Sequence, residues 1–233
     1  MYIAQAKRKE NIAEYILYLW QLEDLLRALR FSPEAIWSQL VAPQIPGDEE
    51  RQNNLLMWYM DVGSLLREEG KEKTGHLDHT LHLIGDLNNL HEQLLQAPAG
   101  EHYRELYARL QPELPRLRQL IGRQEISDTE LAFRTLYAAM LYRMKGDKTK
   151  ESSISDVIEL VSPVIGELAR IFHLAEIGEL DIWERDNGLF RPSDHSGSPG
   201  NLFARRPPRR VSGNIPVDKS GLPCRSGFHI YDA

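Results

Sequence analysis

Between Asn11 and Arg30 the apolar residues Ile12, Tyr15, Ile16, Leu19, Leu22, Leu26 and Leu29 recur every three to four positions. At about 100° per residue they form one stripe, the mark of a helix that buries a single face. Glu23 falls on the same stripe. A carboxylate there must be paired, hydrogen-bonded or protonated, because an unpaired buried charge costs several kcal/mol, comparable with the stability margin of a whole domain.

The helical period continues through the chain, punctuated by caps and breakers. Ser32 and Pro33 have the residue types that start a short second helix, which ends near Val41,. Pro43, Pro46 and Gly47 interrupt the chain, Asp48 is placed to cap a third helix, and Gly70 is placed to end it,. A fourth stripe comprises Leu77, Leu81, Ile84, Leu87, Leu94 and Leu95. From Glu101 to Gly122 the pattern persists, but Pro112 and Pro115 interrupt it, which predicts a kink or a fresh start near Pro112,. Ser127 stands three residues before Glu130, the spacing of a capping box, and opens a helix expected to run to Gly146,. A last helix, from about Ser153 to Ile177, turns Ile154, Val157, Val161, Val164, Ile165, Leu168 and Ile171 inward, with a bend expected at Pro163,. No segment of this body alternates with a two-residue period between turn signals, so the expected fold is all-α: one bundle of six or seven helices,.

Beyond Asp181 the periodicity stops. Residues 182–233 hold six Gly, six Pro and six Ser, too little apolar surface to offset chain entropy, and read as a disordered extension,. Arg205 to Arg210, RRPPRR, has the charge to meet an anionic partner, although a solvated or non-native tail is the plainer reading,. The tail carries eight Lys and Arg against five Asp and Glu, which leaves the body at −9 within an overall −6. Such a body repels phosphate backbones, so nucleic acid is an unlikely partner by charge alone. No stretch of apolar residues is long enough for a membrane span,. The N-terminal residues lack the apolar run of a secretory signal, and the lone Cys224 has no internal disulfide partner, so a cytoplasmic protein is expected,.

Chemistry-bearing residues are few. His76, His79, His82 and His91 crowd the fourth helix, yet successive i+3 steps turn about 60° backward on the wheel, so the first three spread over about 120° and do not converge on a metal ion,. These three read as surface histidines. His91 lies in the middle of the apolar stripe and needs a partner for its ring nitrogens,. The two misplaced polar residues suggest each other, so Glu23 and His91 are expected to meet, directly, through water or through a neighbouring Tyr, as a pair that fixes helix register. Trp20 and Arg27 stand beside Glu23, with Asp24 and Arg27 spaced as a surface ion pair,. Trp20 lies away from the centre of the stripe, suited to a second interface or a partner unless the short second helix covers it. The ligand-binding candidates are therefore Trp20, Glu23, Arg27 and His91. No phosphate loop, GxGxxG, GxSxG or HExxH occurs, so no catalytic or metal-ligating residue and no cofactor is assigned,.

Asn11-Ile12-Ala13-Glu14-Tyr15, Trp20-Gln21 and Glu23-Asp24-Leu25, with the segments GHLDHTLHLIGDLNNLHEQLL and ELAFRTLYAAMLYRM, resemble domain-of-unknown-function family 4924, known from Bacteroidota. The likeness spans residues 1–181. It implies a small helical cytoplasmic protein and carries no activity or site residue with it. The expected role is a protein-interaction or scaffold module, with self-association through an exposed apolar face as one form of it; the alternative is a small-molecule binding protein or enzyme with a polar pocket near Glu23 and His91.

Overall fold

The computed structural model describes residues 2–145 and 148–180. The segment 182–233 and the disorder expected of it lie outside the described residues, as do Gly146 and the side chain of Ile154. Among the described residues all regular structure is helical: α1 (Tyr2–Glu10), α2 (Ile12–Ala28), α3 (Pro33–Ile36, extended by a π turn, Trp37–Val41), α4 (Glu49–Glu68), α5 (Asp78–Leu94), α6 (Glu101–Leu110), α7 (Leu114–Ile121), α8 (Asp128–Lys145) and α9 (Lys148–Glu176). The expected helices are all present, two of them preceded or divided by a break. Ahead of the first, α1 and α2 meet at Asn11, whose side-chain oxygen accepts from the amides of Ala13 and Glu14 at 2.9 and 3.1 Å and so starts a new helix,. The fifth stops at Leu110, passes through a 3₁₀ turn containing Pro112 and restarts as α7 with Pro115 in its first turn,.

Local signals explain the other ends. Ser32 and Asp48 accept from the amides of Ala35 and Arg51, satisfying donors that the first turn of a helix leaves free,. Ser127 does the same for Glu130, but the Glu130 carboxylate turns to Arg134, so only half of the capping box forms,. Gly70 and Gly122 end α4 and α7 with φ of 67° and 69°,. Arg30 and Phe31 follow α2 with φ of 51° and 55° and no glycine to ease them,. Phe31 is held there by packing: its ring lies against Gly63 of α4, where a Cβ would come within 3.1 Å of it, and the Arg67 guanidinium sits 4.8 Å from the ring centroid,.

α9 runs without a break through Pro163 and packs against α2, α5, α6 and α8. It contributes Val157, Val161, Val164, Ile165, Leu168 and Ile171 to a core that also holds the stripe of α2 and that of α5. α2 and α5 touch near the loop between α4 and α5, and α8 closes over both. Burial of the α2 stripe is close to complete, with Ile16, Leu19 and Leu26 at 0–1% exposure. Glu23 lies among them, also at 0%.

Candidate functional site

Glu23 is buried as the apolar stripe requires, but its partner is His76 and not His91. Nδ1 of His76 stands 2.8 Å from Glu23 Oε2 and the amide of Leu77 donates to Oε1 at 3.2 Å. A carboxylate only accepts, so the His76 proton sits on Nδ1. The physical reason for the exchange of partners is where α5 begins. Its first residue is Asp78, so His76 belongs to the preceding loop and no helical wheel fixes its direction. His91 is thirteen positions into α5, about 20 Å farther along the axis,. The expectation of a surface His76 fails for the same reason.

Trp20 is fully enclosed, and the rings packed on it come from the loop before α5 and from α8. The His76 ring stacks on it at 3.9 Å with planes 11° apart; the Tyr137 ring meets it edge-on at 5.5 Å, and Arg134 of α8 lies 5.6 Å over the indole,. Its Nε1 donates to Thr80 Oγ1 at 2.9 Å, and that hydroxyl donates to the Leu77 carbonyl at 2.8 Å. The one polar group of the indole is thus spent inside the protein,.

Arg27 does more than pair at the surface. Its Nη1 bonds Asp24 at 2.7 Å, as the spacing predicts, but Nε and Nη2 donate to the Lys71 carbonyl at 3.1 and 3.0 Å and Nη2 to the Gly75 carbonyl at 2.5 Å. The side chain is only 11% exposed. Tyr137 completes the cluster from α8: its hydroxyl donates to Asp24 Oδ2 at 2.5 Å and lies 3.0 Å from the Trp20 carbonyl. Burial, and then the bond to Asp24, pushes the Tyr137 phenol well above its ordinary range, so it stays a donor,. At the near end of the loop, burial works to lower the Lys71 ammonium, but bonds to Asp78 and Glu69 outweigh it and hold it above its usual value. Glu23 and Arg27 of α2 therefore clamp the loop 71–77 from one side, while Lys71 ties its two ends together.

His91 forms a separate cluster. It shares a 2.7 Å hydrogen bond with the Tyr103 hydroxyl and meets the Tyr107 ring edge-on at 4.7 Å. Tyr107 donates to Asp128 Oδ2 at 2.5 Å; Arg118 holds the other oxygen of Asp128 and the carbonyls of Gln124 and Ile126. The neighbouring Tyr expected to link His91 to Glu23 does not do so: the hydroxyl that His91 meets is that of Tyr103 on α6, and Glu23 bonds His76 instead. Burial lowers the His91 imidazole, against the weaker pull of Asp128 and Glu92, so it is held neutral,. His79 repeats the device: its Nε2 lies 3.2 Å from the Tyr15 hydroxyl, and burial, then Arg8 and His82, lower it. Tyr15 is pushed up to about 12 by burial, with Arg8 opposing. Of the three histidines expected at the surface, His76, His79 and His82, only His82 is exposed.

Of the four ligand-binding candidates, Trp20, Glu23 and Arg27 come together and His91 does not join them. Sequence reasoning missed His76, Thr80 and Tyr137. Tyr137 was legible as a core residue, but α5 starts after Leu77 with no side-chain cap, so the sequence carries no signal that takes His76 off the wheel. Among the described residues no group of three or more His, Cys, Asp or Glu is arranged to hold a metal ion, and no helix is long and apolar enough to cross a membrane.

A family model described as a domain of unknown function, DUF4924, matches residues 1–179. The chain belongs to that family. The match takes in α1 to α9, so both polar clusters lie within the matched residues and the segment 182–233 lies outside them. No curated protein and no solved structure matches this DUF4924 chain.

Proposed function

We propose that this DUF4924 protein is a protein-interaction or scaffold module acting in the cytoplasm. The observation that carries the reading is a contrast between polar and apolar side chains. Trp20, Glu23 and Arg27 spend their polar atoms on internal partners, which leaves little for a substrate, while large apolar side chains of α2 and α8 stand outside. Leu25 is 37% and Met144 60% exposed, and Gln21, one turn before Leu25, reaches the Met144 sulfur at 3.7 Å, so the two lie on one neighbourhood of the surface,. The −9 charge of the body argues against a nucleic-acid partner,.

The test compares the full chain with a Leu25→Glu/Met144→Glu variant by light scattering over a range of concentrations and by cross-linked capture from the native cytoplasm. The reading expects a self-associated species or a defined captured partner that the folded variant loses. A monomer that captures nothing the variant does not also capture would sink it.

A further inference from the structure

Gly85 interrupts the outer face of α5, and the space over it is open: a Cβ built there meets nothing within 4 Å. Glycine in mid-helix is destabilising relative to alanine, and here no packed neighbour requires it. The gap belongs to an open groove of about 430 Å³, a size that suits a small molecule. Its walls are the helix-surface neighbours of Gly85, Leu81 and His82 one turn before and Asn88 and Asn89 one turn after, with Asp86 alongside and Ser127, the cap of α8, across from them,.

The chemistry of these walls selects a ligand. Asn88 donates to Glu92 through Nδ2, which leaves its carbonyl oxygen to accept, and Ser127 Oγ accepts from the Glu130 amide, which leaves its proton to donate. The groove has one carboxylate, Asp86, and one imidazole, His82, in its lining. Without Lys or Arg in the lining it does not call for phosphate, and one carboxylate is too few for a dedicated divalent-cation site,. What the walls offer is a set of hydrogen-bonding groups, the Asp86 carboxylate among them, beside one apolar wall, Leu81. We propose that this groove binds a neutral, hydroxyl-rich small molecule of monosaccharide size, its hydroxyls on Asp86, Asn88, Asn89 and Ser127 and its C–H face on Leu81, with Gly85 admitting it against the helix backbone.

The proposal is independent of the interaction face on α2 and α8. It is tested on the full chain by following backbone and Asn side-chain amide signals while D-glucose, N-acetylglucosamine, inorganic phosphate or magnesium chloride is added. The expected result is a saturable shift of the groove signals with a neutral sugar at a millimolar Kd. Gly85→Met, which fills the gap, and Asn89→Ala are each expected to weaken that binding at least about tenfold, with Gly85→Met melting no lower than the natural chain. Three results would overturn it: no saturable shift with either sugar up to about 50 mM, equal affinity in both variants, or groove signals that respond to phosphate or magnesium and not to sugar.

Discussion

Replacing Glu23 by Leu removes the acceptor for two donors that have no water to turn to, Nδ1 of His76 at 2.8 Å and the Leu77 amide at 3.2 Å. Each hydrogen bond to a charged group contributes about 1.5–3 kcal/mol. Arg27 is not stranded, since Asp24 and two loop carbonyls still hold it. The expected cost is therefore about 3–5 kcal/mol, the range for breaking a buried pair from one side. His76→Leu keeps an apolar side chain against Trp20 but loses the bond to Glu23, at an expected cost of about 2–3 kcal/mol. In the double variant the shared bond is lost only once, so the two costs should fail to add by about 1.5–3 kcal/mol. A parallel cycle of Glu23→Leu with His91→Leu should add to within about 0.5 kcal/mol, because those side chains share no partner. Urea unfolding followed by far-UV circular dichroism supplies all of the values. A coupling with His76 below about 0.5 kcal/mol, or a coupling with His91 as large as that with His76, would refute the pairing.

Acid should weaken the fold through His79 and His91. Both are held below the ordinary histidine value of about 6.5 by burial, so the unfolded chain takes up protons first as the pH falls. Their contribution is whole above about pH 6.5 and is lost below it, at up to about 1.4 kcal/mol per pH unit for each ring. His91→Phe should flatten the fall in urea midpoint between pH 7.5 and 5.5, and an unchanged slope would show that His91 is not responsible. Gly100→Ala should destabilise by at least about 2 kcal/mol, because its Cβ would come within 1.9 Å of the Leu94 carbonyl oxygen, a backbone atom with no freedom to withdraw,. A melting temperature equal to that of the natural chain would refute that contact. Arg30→Gly should stabilise by about 1 kcal/mol by relieving the left-handed conformation at φ 51°,; a lower melting temperature would mean that the Arg30 side chain contributes more than the strain it costs.

The helices were legible because an apolar period marks the buried face, and α2, α3, α4 and α8 add an Asn, Ser or Asp cap that the structure uses. The buried state of Glu23 and of His91 was legible on the same ground, since a wheel reports which side of a helix a residue occupies. Partners were not. A wheel says nothing about position along a neighbouring helix, and the Glu23 stripe is as compatible with the start of α5 as with its end. The deciding residue, His76, lies in a loop, where periodicity carries no information and direction is set by contacts with Glu23 and Trp20 themselves. Arg27 illustrates the same limit in another way. Its i+3 spacing from Asp24 was correct, yet most of its hydrogen bonds go to backbone carbonyls, which have no sequence signature.

The histidine-rich segment from His76 to His91 now has a physical purpose that needs no metal. His76, His79 and His91 each meet a different partner: Glu23 and Tyr15 on α2, and Tyr103 on α6. Sliding α5 by one turn, about 5.4 Å, would separate all three pairs at once and leave a buried carboxylate and several ring nitrogens without partners. Apolar packing alone tolerates such a slip, because a leucine stripe looks much the same one turn on. The polar contacts therefore act chiefly on register, fixing α5 against α2 and α6 even where their net contribution to stability is small. The outer face of α5, with the groove at Gly85, is held in a fixed position as a result, and so is the α2 and α8 surface that carries Leu25 and Met144.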